Sequence, residues 1–135
     1  MKKALLISAF LILLFFIPSS FWLVQNLQNK NNDTISYKLD DRTYRLLVAD
    51  SPHEWQRGLM DVRKLQGVDG MIFLFPDKAI RTFWNKNTHL DLEVIWLNDE
   101  KIVGKSLLPS IEKSRNIVTV QSPSEVNKVI EIILK

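Results

Sequence analysis

The stretch Arg81-Thr82-Phe83-Trp84-Asn85-Lys86-Asn87-Thr88-His89-Leu90-Asp91-Leu92-Glu93-Val94-Ile95-Trp96-Leu97 decides the fold. In its second half Leu92, Val94 and Trp96 recur at every other position, so an extended chain sets them on one face and buries them. In its first half Phe83, Asn85 and Asn87 alternate with Trp84, Lys86 and Thr88. Read as strands, Ile80–Asn87 and Leu90–Leu97 form the centre of a β domain.

Working outward, Asn98-Asp99-Glu100 is a turn and Lys101–Leu108 the returning strand. Pro109 to Arg115 is polar and predicts a loop. Ile117–Gln121 and Val129–Leu134 close the chain as strands. On the N-terminal side, the continuous apolar run Met71–Phe75 is predicted to be a strand buried on both faces, stopped by Pro76-Asp77. Gly67 and Gly70 bracket a turn before it. Ser51-Pro52-His53-Glu54 opens a helix: Ser51 caps, Pro52 suits the first helical position, and Glu54 sits where a capping box needs it. Gly58 ends that helix, and Leu59 and Met60 then bury. Ile35–Leu39 and Thr43–Ala49 pair as a hairpin around Asp40-Asp41-Arg42. The predicted fold is mainly β with one short helix, a compact, mostly antiparallel sheet or partly open barrel over residues 35–135.

Residues 1–24 read differently. Ala4 to Val24 carries no charge, and twenty-one residues at the helical rise span about 31 Å, enough for a bilayer core. Lys2 and Lys3 precede it, which predicts a single transmembrane helix with a cytoplasmic N-terminus and an exported domain. The alternative is a cleaved signal peptide and a secreted domain, although Pro18-Ser19-Ser20 is a poor cleavage site. Residues 25–34 are an amide-rich polar linker.

Composition excludes several functions. The chain has no cysteine, hence no disulfide, thiolate nucleophile or cysteine-ligated metal. Its formal charge of +3 comes entirely from Lys2, Lys3 and Lys30. The folded part is therefore net neutral, and a nucleic-acid partner is not expected. His53 and His89 are the only histidines, with no clustered carboxylates between them, so neither a metal site nor a cofactor is expected. No serine lies in a sharp-turn nucleophile motif.

The residues left to carry function are Arg57, Trp84, Lys86, Asn87 and Glu93. Arg57, at the helix end, offers a fork of donors to a carboxylate or phosphate; the alternative is an ion pair with Asp50, Asp61 or Glu93. Trp84 beside Lys86 makes a stacking and charge platform, or a surface ring covered by a lysine stem. Asn87 serves a ligand or its own turn. Asp91 and Glu93 lie two apart, which suits general acid–base work on a glycan or a solvated strand face.

Four blocks together resemble the domain of unknown function 192 (DUF192) family. They are Arg57-Gly58-Leu59-Met60, Gly70-Met71-Ile72-Phe73-Leu74-Phe75, Phe83-Trp84-Asn85-Lys86-Asn87-Thr88 and Val129-Ile130-Glu131, within residues 44–134. The resemblance implies a small β-rich domain, often exported or membrane-anchored in prokaryotes. The family has no established activity, so no catalytic residue carries over. This chain has Asn85 where the family usually has Met, and Asp91-Leu92-Glu93 for its Pro-Leu-Asp. The family pattern continues into another strand beyond the position of Lys135. A methionine in the family implies an apolar setting at 85, in which Asn85→Met would be neutral or stabilising; the alternative is a satisfied polar Asn85 in a pocket, where the change would destabilise.

Three functions follow as expectations. The first is a non-catalytic envelope module, anchored in the membrane through residues 4–24, that binds a small anionic ligand or an envelope protein. The second is a hydrolase or transferase acting on an envelope glycan or peptide through Asp91, Glu93 and Arg57. The third is a structural or assembly role. A preformed pocket with convergent polar groups favours the first two, and a carboxylate of strongly raised pKa within it favours the enzyme.

Overall fold

A computed structural model describes residues 33–135. The expected membrane segment, residues 1–24, and all but the last two residues of the linker lie outside the described residues. Among the described residues no helix is long and apolar enough to cross a membrane.

Strands β1 (Thr34–Leu39) and β2 (Arg42–Ala49) form the expected antiparallel hairpin. Asp40 makes its tight turn possible by adopting φ 52°, a conformation short polar side chains tolerate. Helix α1 (Pro52–Arg57) begins and ends where its caps predict. The Glu54 carboxylate turns back to accept from the Ser51 and Asp50 backbone N–H groups, each at 3.1 Å, and from the Ser51 hydroxyl at 2.7 Å. Gly58 closes the helix at φ 49° and ψ −132°, a region open essentially to glycine.

The chain then runs through β3 (Gly70–Ala79), β4 (Thr82–Trp84), β5 (Leu92–Asn98), β6 (Lys101–Leu108), helix α2 (Ile111–Ser114), β7 (Thr119–Gln121) and β8 (Val126–Ile133). Six strands make one sheet in the order β1-β2-β3-β8-β5-β6, and β4 and β7 make a second, two-stranded sheet. Only β2 and β3 pair in parallel in the main sheet, as expected of strands joined by a long crossover that contains α1. The main sheet curls without closing. Tyr37 on the edge strand β1 donates to Glu100 in the β5–β6 turn at 2.6 Å, and the Lys128 ammonium on β8 bonds both.

The expected core is present. One face of the sheet buries Phe73, Val94, Trp96, Leu108 and Val129 beneath α1, the segment after it and the β4–β7 pair. The other buries Leu46, Ile72, Ile95, Leu97 and Ile130 inside the curl. Strand β3 serves both faces, as its unbroken apolar run predicts.

Several boundaries differ from expectation. Pro76-Asp77 does not stop β3. Pairing with β8 is irregular between Leu74 and Ala79, so the missing proline N–H removes no ladder bond there. Gly70 lies in β3 itself, not in the preceding turn. Strand β4 is only three residues long, because the chain folds inward at Asn85 and turns at Asn87, whose φ is 53°. The segment Pro109–Arg115 holds a second short helix, α2, capped by the Ser110 hydroxyl, which accepts from Lys113 N–H. Strand β8 starts three residues early, at Val126.

Asn85 corrects the apolar expectation. It is fully buried, and every polar group it carries is satisfied. Its Nδ2 donates to the Pro109 carbonyl at 2.9 Å and the Ser114 hydroxyl at 2.8 Å. Its Oδ1 accepts from Val118 N–H at 2.7 Å. The amide thereby ties β4 to the segment entering β7. Asn85→Met is expected to destabilise by roughly 2–3 kcal/mol, since it leaves a backbone N–H and a carbonyl without their partner. A urea midpoint equal to the wild type would show that the amide bonds contribute nothing.

Candidate functional site

Helix α1 and its exit cover one end of the sheet, and β4 covers the next part. Between them lies a cleft of about 540 Å³. Its walls are Trp55, Phe73, Phe75, Ile80, Phe83 and Trp84. Edge-to-face contacts hold these rings: Phe73 to Phe83 at 4.8 Å between centroids, and Phe83 to Trp96 behind it at 5.5 Å. Trp55 is fixed by its indole N–H on the Ala49 carbonyl at 3.1 Å and by Phe75 at 5.0 Å. The apolar shape is thus built by packing and does not await a ligand.

Glu131 lies at the floor. Strand alternation places it on the same face as Val129, opposite Met71 on β3 and Val94 on β5. It is 4 % exposed, and its Oε2 has no hydrogen-bond partner. Burial alone pushes the carboxyl up to about 8, because an ion there would lose hydration without gaining a counter-charge. At neutral pH the group is mainly a neutral acid with one O–H to donate. Gly58 lies over it: a Cβ there would stand 3.3 Å from Phe73 Cζ and 4.0 Å from Glu131 Oε2.

The second unusual group is Arg81. Its guanidinium stacks 4.0 Å from the Phe75 ring centroid and donates to the Asp77 carboxylate at 2.8 Å and the Asp77 carbonyl at 3.0 Å. Its Nε is buried without a partner. Glu131 Oε2 and Arg81 Nε are the buried side-chain polar atoms left without a partner among the described residues, and both residues line this one cleft.

Of the residues singled out in the sequence, Arg57 and Trp84 line the cleft together. Trp84 is 42 % exposed, and Lys86 stands beside it with its ammonium 5.1 Å from the ring without lining the cleft. Asn87 sits in the turn, its carbonyl accepting from Asp61 N–H at 2.8 Å. Glu93 faces the other side of the sheet, opposite Ile132 and Leu107, and pairs with Lys105 at 3.7 Å. Asp91 accepts from Ser110 N–H at 2.8 Å and from Lys113 at 3.4 Å; chiefly the Ser110 bond holds it below the ordinary carboxylate range. The two carboxylates therefore serve different partners.

Arg57 is exposed, and among the described residues it forms none of the ion pairs within 4.0 Å. The pairs considered with Asp50, Asp61 and Glu93 are not made. Arg57→Ala is accordingly expected to change the unfolding free energy by no more than about 0.5 kcal/mol, as for other surface positions without a partner. A loss of several kcal/mol in chemical denaturation would mean that Arg57 compensates a buried charge.

Glu131 and Arg81 were not singled out in the sequence. The signal for Glu131 was available: one carboxylate within Val129-Ile130-Glu131-Ile132-Ile133, a run that reads as buried strand, where a charge is rare unless paired. Arg81 gave no such signal, since its position depends on contacts with Asp77 and Phe75 of β3.

No curated protein matches this chain. A crystal structure from Sinorhizobium meliloti 1021, provisionally named a transcription regulator, is similar at 27 % identity and TM-score 0.57, covering 74 % of this chain and 76 % of its own. A protein of unknown function from Novosphingobium aromaticivorans DSM 12444 shares the fold at 20 % identity and TM-score 0.56, covering 75 % of this chain and 81 % of its own. The DUF192 model, described as an uncharacterized ACR, matches residues 35–133, which span every strand of the sheet except the first residue of β1, and with them the whole cleft: the chain belongs to the DUF192 family.

Proposed function

We propose that this domain is a small-molecule-binding module held outside the cytoplasm by residues 4–24, and that the cleft between α1 and β4 is its binding site. The observation that carries the reading is the meeting of two unsatisfied buried groups, Glu131 Oε2 and Arg81 Nε, in one aromatic-walled cleft. Buried polar groups are almost always paired, so a ligand that completes them gains hydrogen bonds which the protein's own groups do not make. A volume of about 540 Å³ is within the range for small-molecule sites.

A thermal-shift screen of the full chain tests this. A ligand for the native state raises the melting temperature, and Thr119→Trp, which enlarges an exposed cleft-lining position, is expected to abolish that rise. If no compound stabilises the protein, or if stabilisation persists in Thr119→Trp, the cleft is not the site.

A proton-transfer enzyme is the second reading, favoured by the raised pKa of Glu131 inside a pocket. It would use Glu131 as the general acid, not Asp91 with Glu93. Among the described residues no other carboxylate or histidine lines the cleft, so binding remains the first reading. Turnover of a bound compound that disappears in Glu131→Gln, with binding retained, would establish the enzyme.

The location rests on Lys2, Lys3 and the uncharged run that follows. The mature protein is expected to retain Met1 or Lys2 and to stay with membranes through an alkaline wash. A new N-terminus near Phe21 in the soluble fraction would overturn the anchor.

A further inference from the structure

The chemistry of the cleft, taken with the binding role proposed above, limits what the ligand can be. The walls are aromatic and aliphatic, so the body of the ligand is apolar. At the mouth Arg57 carries a charge that no described side chain neutralises, whereas the charge of Arg81 is already met by Asp77. Lys86 stands beside Trp84, outside the lining of the cleft. At the floor, Glu131 faces Met71 and Phe73 on β3, Val94 on β5 and Gly58 after α1, none of them ionisable. Among the described residues the ionisable groups lining the cleft are therefore Glu131 and the two arginines.

We propose that the cleft takes an apolar-bodied monoanion, its charge met by Arg57 at the mouth and an acceptor atom at its buried end met by the O–H of the Glu131 carboxyl. A cation is disfavoured by the arginine at the mouth, and a dianion would place charge in the apolar interior. Binding is then tied to the Glu131 proton. Loss of that proton removes the donor and sets a second negative charge in the same cleft.

The test uses 6-methoxynaphthalene-2-carboxylate, an aromatic anion with an ether acceptor at its far end, titrated calorimetrically into the detergent-solubilised full chain. Two further probes share its skeleton: the neutral 2-carboxamide and the 2-methylammonium. The carboxylate is expected to bind saturably with one molecule per chain. Arg57→Ala should weaken it at least tenfold without altering the circular dichroism spectrum. If only the protonated form binds, affinity falls about tenfold for each pH unit above the titration of Glu131. Wild-type affinity should accordingly drop between pH 7 and pH 9, while Glu131→Gln, which cannot titrate, stays flat.

Tighter binding of the ammonium probe, strengthening as pH rises, would overturn the inference and leave a binding cleft of opposite preference. Carboxylate binding indifferent to Arg57→Ala would also overturn it. If none of the three probes binds, the inference falls; if the library screen is empty as well, the binding role falls with it.

Discussion

Unfolding free energy is expected to fall by roughly 3–5 kcal/mol between pH 5 and pH 9 on account of Glu131 alone, and Glu131→Gln should remove that slope. The carboxyl titrates at about 8 in the folded chain against 4.5 for the free group. Between those values the folded state holds a proton that the unfolded state has released. Stability from this group is fully present below about pH 4.5 and is lost as pH rises to about 8. The slope approaches about 1.4 kcal/mol per pH unit, and local water entry on ionisation trims the total. Other shifted carboxylates, Glu54, Asp91, Asp99, Glu100 and Glu112, are all lowered. Their stability is present above their unfolded values and is lost as pH falls, which confines them to the acid limb. Urea denaturation of wild type and Glu131→Gln across this range isolates the one group. Parallel curves from pH 5 to pH 9 would mean that Glu131 is ionised in the fold and has a counter-charge.

The same residue marks where sequence reasoning stopped. Local chemistry was legible: Ser51, Pro52 and Gly58 bound α1, the Met71–Phe75 run serves two faces, and Leu92, Val94 and Trp96 enter one core. These depend on spacing within one element. Glu131 depends on three strands meeting, because β3 and β5 flank β8 only after the chain order is rearranged into β1-β2-β3-β8-β5-β6. Asn85 failed for a related reason. Its partners at Pro109, Ser114 and Val118 come from 24 to 33 residues away, and nothing near it in sequence announces them. Arg57 and Trp84 were found because exposed cation and ring are local properties. Their meeting at one cleft depends on the crossover that sets α1 beside β4.

Gly70→Ala is expected to cost at least about 4 kcal/mol, enough to leave a domain of ordinary stability largely unfolded. Gly70 opens β3 opposite Leu46 on β2 and Ile132 on β8. A Cβ on it would stand 1.8 Å from the Glu131 carbonyl oxygen, 2.9 Å from the carbon of that carbonyl and 3.2 Å from Ile132 Cα. All three are backbone atoms of a strand paired on both sides, so no rotamer change relieves the overlap. Relief requires β3 and β8 to separate, which opens the ladder at its buried Gly70–Ile132 end and shifts the segment that carries Glu131. Gly67→Ala is the matched control. Unlike Gly70 it has a positive φ, 67°, but its Cβ would meet only Arg45 Nη1 at 3.9 Å. That substitution should cost only about 1 kcal/mol, from backbone strain alone. Urea midpoints of the two variants, with near-ultraviolet circular dichroism to report the aromatic cluster, separate the effects. Equal and small shifts would show that β3 and β8 can part at this point without loss, and the floor of the cleft would then be far softer than its packing implies.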